Sequence, residues 1–281
     1  MRVTLVANAR SGGTDASDAV ASALRARGAE VTVLDVGDME AVAVGAPERV
    51  VVAGGDGTVG QAAAVAGRAG IPLAVVATGT ANDFARALDL PRDVEDACAL
   101  AADPNASIRA IELAWAGDRP FVNAASCGLS VVAARRAAPL KPRLGPLAYA
   151  AGALRAGLTG RAVPVTVRCD DRVVHDGPAW QAIVGATGAF GAGSGIEEAD
   201  PHDGLLDVVV VGAGSRAALV RRAWGLRRGR VARQPGVAHA RGARIEVTVP
   251  PGTRWNVDGE VCTLHPASFR AEEGAVEVVV P

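Results

Sequence analysis

The sequence predicts an α/β plus all-β chain, with an N-terminal parallel α/β nucleotide-binding domain and a C-terminal antiparallel β-sandwich domain. Three observations carry this. Short β-branched runs alternate with alanine-rich stretches through the first hundred or so residues, the pattern of a parallel sheet covered by helices. From about residue 107 the rhythm changes to short strands with Gly, Asp and Pro turns, the pattern of an antiparallel sandwich. A chain of 281 residues is also long for one core and comfortable for two. The expected domains are residues 1–118 and 119–281.

Taken in order, Val3 to Ala7 reads as a strand and Thr14 to Arg27 as a helix. Glu30 to Val36 and Arg49 to Ala53 read as strands, Val59 to Ala69 as a helix, and Pro72 to Ala77 as a strand. The second half offers hairpin-like stretches: "SIRAIELAWAGDRPFVNAAS", "VPVTVRCDDRVVHDGP", "WQAIVGATG", "LLDVVVVGA", "ARIEVTVPPGTRWNVDGEVCTL" and "GAVEVVVP". Helical stretches at about 145–160 and 215–228 interrupt them.

Bulk composition excludes several classes. Charged residues are 21% and the net charge is -1, so nothing in the global balance calls for nucleic acid. Cys98, Cys127, Cys169 and Cys262 form no CxxC pair, which argues against a disulfide framework or a zinc site and for a reduced, cytoplasmic compartment. His175, His202, His239 and His265 show no paired ligand spacing. Asn8 and Arg10 cut the first apolar run short of a signal core, and no segment holds 18 uncharged apolar residues. Lipid, if met, is met from the water side, peripherally at the inner face of a membrane.

Three predicted strand ends carry polar, glycine-rich sequence: "NARSGG" (8–13), "GGDGT" (54–58) and "TGTAND" (78–83). Ligands of parallel sheets bind beyond such ends, so the three are expected side by side. Gly55, Gly57 and Gly60 satisfy G-x-G-x-x-G, but the acid that should hold a ribose is replaced by Thr78, and Asp56 would repel a pyrophosphate unless a cation intervened. A P-loop fails because the one lysine, Lys141, lies far from any glycine loop. Phosphate must therefore be met by backbone N–H groups, a helix N-terminus, arginine or a metal ion. Asp56 suits a metal held through water, and Thr58 a hydroxyl contact or a helix cap. The plain alternatives are a tight strand-to-helix turn at 54–58 and an Asx-capped helix start at Asn82 and Asp83.

GGDGT followed by GTxNDFAR, an N-terminal NxxSG loop, and the later "DGxLD" and "DGE" stretches resemble the diacylglycerol kinase catalytic-domain family. Those lipid kinases include the bacterial diacylglycerol kinases and the ceramide and sphingosine kinases. GGDGT alone would also suit NAD kinases or phosphofructokinases. The resemblance implies ATP and Mg²⁺ as cofactors. It implies that Asn8, Ala9, Arg10, Ser11 and Gly12 wrap the phosphates together with Gly54, Gly55, Asp56, Gly57, Thr58, Val59, Gly60 and Gln61. Thr80 would touch the nucleotide, with Asn82 and Asp83 beside it. Asp200, Asp203 and the Leu205 carbonyl would hold a Mg²⁺, and the general base would lie in DGE, Glu260 first, with Asp258 its partner or the true base. On this reading the second domain contributes the lipid site, the Mg²⁺ site and the base. Gln61, where glutamate is commoner, and Arg10, in a loop more often containing proline, depart from the pattern. Without the resemblance, Asp203-Gly204 and Asp258-Gly259 read as turns.

Seven arginines and no acid lie between Arg216 and Arg233, and "RRAAPLKPR" (135–143) adds a second basic block. Anionic lipid headgroups attract such segments, although these arginines spread around a helix and suit a solvated face equally. The reading is an ATP- and Mg²⁺-dependent lipid kinase acting on a diacylglycerol-like hydroxyl. Its rivals are an NAD kinase-like enzyme for a soluble alcohol, a catalytically weakened nucleotide- or lipid-binding module, and a nicotinamide oxidoreductase. Exposed sandwich edges leave room for a homodimer.

Overall fold

The computed structural model describes residues 1–7, 14–137, 156–157, 159–189, 196, 200, 202–228, 230–265 and 267–281. Most of the helix expected at 145–160 and the whole of Asn8 to Gly12 lie outside them. Two compact units divide the chain, one of Met1–Leu113 with Glu272–Pro281 and one of Ala114–Ala271.

The first unit holds β1 (Arg2–Ala7), α1 (Thr14–Ala26), β2 (Glu30–Asp35), β3 (Arg49–Gly54), α2 (Asp56–Ala69), β4 (Leu73–Ala77), α3 (Asp83–Ala87), α4 (Val94–Ala102) and most of β5 (Ser107–Ala116). Its parallel strands lie in the order β2-β1-β3-β4, with the C-terminal strand beside β4. Val50, Val51 and Val52 are wholly buried, as expected of a parallel strand covered on both faces. The alanines of α2 let it lie close to its neighbours: a Cβ on Gly67 would stand 2.3 Å from the Ala275 carbonyl oxygen. At the other end of the sheet Arg49, 4% exposed, donates to the carbonyls of Leu100 and Ala101 at 3.2 and 2.9 Å. It thereby satisfies the end of α4, and burial lowers its pKa.

The second unit contains β6 (Arg119–Phe121), β7 (Ala124–Gly128), α5 (Leu129–Ala137), β8 (Val163–Cys169), β9 (Arg172–Gly185), β10 (Leu206–Gly212), α6 (Arg216–Arg227), β11 (Val237–Gly242), β12 (Arg244–Thr248), β13 (Arg254–Val257), β14 (Glu260–Thr263) and the start of β15 (Ala267–Val280). Its strands pair antiparallel, and the long β9 meets β8 along its first half and β7 and β10 along its second. Trp255, Phe121 and Phe269 fill the core, with ring centroids 5.2 Å apart for Trp255 and Phe269 and 6.3 Å for Phe121 and Phe269.

The structure departs from the sequence expectation in four places. Helix α2 begins at Asp56 rather than Val59, so the glycine loop is mostly a first helical turn. Helix α5 was not expected, because its apolar and basic residues follow a strand without a break. "VPVTVRCDDRVVHDGP" and "WQAIVGATG" share one continuous strand, β9. "GAVEVVVP" leaves the sandwich: β15 starts antiparallel to β12 but ends with Val278 parallel to Leu73 of β4. The consecutive burial of Val278, Val279 and Val280 fits that destination, since a half-solvated sandwich strand would bury alternate residues.

Candidate active site

Strand order places the first part of the site. β1 connects to β2 on one side, while β3 and β4 lie on its other side, so the chain reverses direction of travel between β1 and β3. Ligands of open α/β sheets bind at such a switch point, outside the carboxyl ends. Ala7 ends β1 beside Ala53, and Gly54 ends β3 beside Ala77. The three strand ends therefore lie side by side, as the sequence predicts, and the GGDGT loop leaves the middle one.

Local packing explains the glycines. Gly55 is the extended N-cap of α2, and no side chain caps that helix. A Cβ on Gly79 would stand 2.6 Å from the Gly55 Cα and 2.7 Å from the Asn82 Oδ1, so the two loops touch backbone to backbone. Asp56 Oδ1 accepts the Phe84 N–H at 3.0 Å and ties GGDGT to NDFAR. Thr58 does not cap the helix: its side chain lies against Gly54, where a Cβ would be 2.9 Å from its own. Val59 and Gly60 are buried, Gly57 and Gln61 are half-buried, and Thr80 is exposed.

The NDFAR turn is held by its own side chains. Asn82 adopts a left-handed conformation (φ 50°), and its amide donates to the carbonyls of Gly79 and Ala77 at 3.0 and 3.4 Å. Its buried Oδ1 has no hydrogen-bond partner among the described residues. It does not cap α3 through its side chain, which replaces the expected Asx cap. Asp83, 4% exposed, pairs with Arg86 at 2.7 Å. The uncapped start of α2 presents N–H groups and a positive dipole end, the setting that anions favour, whereas the first turn of α3 gives its Phe84 N–H to Asp56.

In the second unit Asp258 and Glu260 have different surroundings. Asp258 (φ 44°) and Gly259 (φ 90°) form the two-residue turn between β13 and β14. The Asp258 carboxylate accepts three backbone N–H groups, those of Val122, Asn123 and Ala124 at 2.7, 3.0 and 3.0 Å. Glu260 is exposed and ion-paired with Arg119. Buried Asn123 accepts the Thr187 hydroxyl at 2.9 Å, a contact no motif announces.

The "DGxLD" segment is arranged differently from its expectation. Asp203 Oδ1 accepts the Leu205 N–H at 2.9 Å, and Oδ2 accepts the Arg241 guanidinium. Asp200, 59% exposed, accepts the His202 N–H. Asp207 is wholly buried, with His239 Nε2 at 2.5 Å and Arg241 Nε at 3.3 Å. Among the described residues no three His, Cys, Asp or Glu side chains are placed to hold a metal. A Mg²⁺ on Asp200, Asp203 and the Leu205 carbonyl does not fit, because a guanidinium already occupies the carboxylate that would be its main ligand. Sequence named Asp203 but missed Arg241 and His239, which arrive from β11 opposite Asp207 and Val209.

Two family models match: "Diacylglycerol kinase catalytic domain" over residues 2–114, and "YegS C-terminal NAD kinase beta sandwich-like domain" over residues 123–280. The chain belongs to the diacylglycerol kinase catalytic-domain family. It is thus a kinase with an alcohol acceptor, of a family that phosphorylates lipids. The diacylglycerol kinase of Bacillus subtilis (strain 168) is 30% identical over 243 residues, 83% of this kinase and 77% of that one. That of Staphylococcus epidermidis (strain ATCC 12228 / FDA PCI 1200) is 29% identical over 236 residues, 83% and 74%. A solved diacylglycerol kinase from Bacillus anthracis str. Sterne superposes with a TM-score of 0.78 at 22% identity, covering 100% of this kinase and 97% of that chain. An NAD kinase from Archaeoglobus fulgidus in complex with ATP shares the fold more distantly, with a TM-score of 0.53, 14% identity and coverage of 100% and 93%. Among the described residues no helix is long and apolar enough to cross a membrane.

Proposed function

We propose that this kinase transfers the γ-phosphoryl group of ATP, accompanied by Mg²⁺, to the hydroxyl of a diacylglycerol-like lipid. The observation that carries the donor half is the contact of the GGDGT and NDFAR turns beyond adjacent strand ends, tied by Asp56 to Phe84. Backbone N–H groups at the start of α2 would receive phosphate oxygens, with Asn8 to Gly12, outside the described residues, completing the cradle. Exposed Thr80 would touch the nucleotide, with Asn82 holding the loop beside it through the carbonyls of Gly79 and Ala77. Mg²⁺ bound with the nucleotide would neutralise phosphate charge, and Asp56 is the carboxylate of this loop suited to a water-mediated contact.

Of the DGE carboxylates, Glu260 is our first choice for the base. Asp258 has three amide N–H groups on its carboxylate, which occupy its lone pairs and fix it in the turn. Glu260 is exposed and held by one arginine, Arg119, which a substrate hydroxyl could displace or share.

Membrane approach is the partner half of the proposal. Exposed Ala217, Arg221, Trp224 and Arg228 recur at helical spacing along one face of α6 and just past its end. The Arg228 guanidinium lies 4.6 Å from the Trp224 ring centroid, and Trp224 is 57% exposed. An aromatic flanked by guanidinium groups suits the interface of an anionic bilayer. A second copy of the chain is left as a further partner to be read from solution mass.

The test is transfer of label from γ-labelled ATP to vesicles carrying diacylglycerol, ceramide or sphingosine, and to NAD in solution. Labelled phosphatidic acid is expected. Label on NAD alone would establish the soluble-alcohol rival, and ATP binding without transfer to any acceptor would establish a binding module.

A further inference from the structure

We infer that Arg241 is a built-in cation for the Asp203–Asp207 turn, so that the second unit holds this turn without a divalent ion. The inference stands apart from the kinase reading, because it concerns what stabilises a turn and not what the protein phosphorylates. Asp207 is wholly buried and Asp203 lies four residues before it, so a positive group that reaches both lowers the cost of burying negative charge there. Folding supplies that charge from a distant part of the chain. Register sets Arg241 on β11 directly opposite Asp207 on β10, and from there the guanidinium reaches both acids. His239, two residues before Arg241 on β11, occupies the other Asp207 oxygen at 2.5 Å. The Asp207 Oδ2 makes no hydrogen bond among the described residues, so its tie to Arg241 Nε at 3.3 Å is an ion pair of charge more than of alignment.

A planar guanidinium can serve two carboxylates at once, which a Lys ammonium at the same position would do less well. A Mg²⁺ on Asp203 would compete with Arg241 for the same carboxylate, and displacing the guanidinium would strip Asp207 Oδ2 of the only ion-pair partner it has among the described residues. The arrangement therefore opposes metal entry, and the opposition is carried by a residue outside every motif in the sequence.

The experiment is thermal unfolding of the full chain without nucleotide, in excess EDTA and in millimolar Mg²⁺, for the native protein and for Asp203→Asn, Arg241→Lys and Arg241→Met. Mn²⁺ binding by electron paramagnetic resonance, again without nucleotide, is the second readout. The native midpoint should be equal in EDTA and Mg²⁺, with no ion bound through Asp203. Arg241→Met should lower the midpoint by roughly 3–10 °C in EDTA, and Mg²⁺ should restore part of the loss. Arg241→Lys should fall between the two. A native midpoint that rises in Mg²⁺ and loses that response in Asp203→Asn would overturn the inference, as would a Mn²⁺ ion that Asp203→Asn removes. An Arg241→Met midpoint equal to the native one would overturn it as well. If Arg241→Met does not fold, the native protein, Asp203→Asn and Arg241→Lys still decide. None of these readouts depends on an acceptor being phosphorylated.

Discussion

The GGDGT turn of the first unit and the DGE turn of the second both pair an aspartate with glycine, yet they use their motifs in opposite ways. GGDGT works mostly through its main chain: Gly55 caps a helix without a side chain, and Gly79 lies backbone to backbone against it, with the Asp56 side chain adding one tie to Phe84. DGE works through side chains whose partners come from far away, Asp258 on the amides of residues 122–124 and Glu260 on Arg119. Main-chain geometry is written locally, in glycines and strand ends. Carboxylate chemistry is written by whichever distant groups the fold brings near. The first region should therefore be broken by adding a single methyl group, and the second by removing a single charge.

The largest effect should follow removal of charge. Glu260→Gln is expected to lower kcat by ~10²–10⁴ with little change in melting temperature, as loss of a general base does. Asp258→Asn should cost stability first, because it weakens a carboxylate that accepts three amides. Steady-state kinetics with diacylglycerol vesicles beside a thermal melt separate the two roles. If Asp258→Asn abolishes turnover at an unchanged melting temperature while Glu260→Gln stays active, the assignments exchange.

Adding a methyl group should come next. In Gly79→Ala the new Cβ would meet the Gly55 Cα at 2.6 Å and the Asn82 Oδ1 at 2.7 Å, and the Gly55 backbone leaves little room to yield. Parting the two loops by a fraction of an ångström to one ångström is expected to reduce kcat/KM by ~10²-fold, with ATP affinity falling in parallel. Isothermal titration with ATP is the direct measurement. Gly28→Ala is the control for helix-end strain: its φ is 82° and nothing stands within 4 Å, so it should cost stability without touching ATP.

The same contrast explains what could be read from the sequence. The alternation of valine runs with alanine-rich stretches gave β1 to β4 and α1, and the glycine and polar ends of those strands gave the switch point, because all of these are local. Helix α2 began three residues earlier than expected since Asp56, Gly57 and Thr58 look like loop residues, whereas the structure uses them as an uncapped first turn. β15 was half misplaced because a strand's partner is not encoded in its own pattern; Ala267–Val280 begins with one unit and ends with the other. Arg241 and Arg119 were invisible for the same reason. Each is one arginine among many until strand register sets it against Asp207 or Glu260.

A smaller effect tests the interior of the second unit. Burial pushes the Cys127 thiol up from the ordinary value of 9.0 to about 12. Below pH 9 the thiol is protonated in both folded and unfolded chains and contributes no pH dependence. As pH rises through that value only the unfolded chain loses the proton, so stability should fall by about 1.4 kcal/mol per pH unit toward pH 12. Denaturant melts at stepped alkaline pH, compared with Cys127→Ala, should show that slope in the native protein and a weaker one in the variant. Cys98 and Cys169, also buried with raised pKa, add to the background in both.

The smallest effects should separate arginines that the sequence left alike. Arg222 is 7% exposed and donates to the carbonyls of Gly212 and Pro235 at 2.6 and 3.2 Å, so it anchors α6 to its own unit. Its neighbour Arg221 is exposed, on the face shared with Trp224 and Arg228. The seven arginines between 216 and 233 are thus not one solvated belt: burial assigns at least one of them to structure and leaves a narrower outward stripe. Each basic residue near an anionic bilayer is worth ~1 kcal/mol, or about a fivefold change in partition. Arg221→Glu and Arg228→Glu should each weaken binding to anionic vesicles by at least that factor, leave the melting temperature unchanged and leave binding to neutral vesicles alone. Arg222→Met should do the reverse, lowering the melting temperature while the folded fraction still binds. Equal losses of vesicle binding from all three, or none, would mean that this face of α6 does not meet lipid.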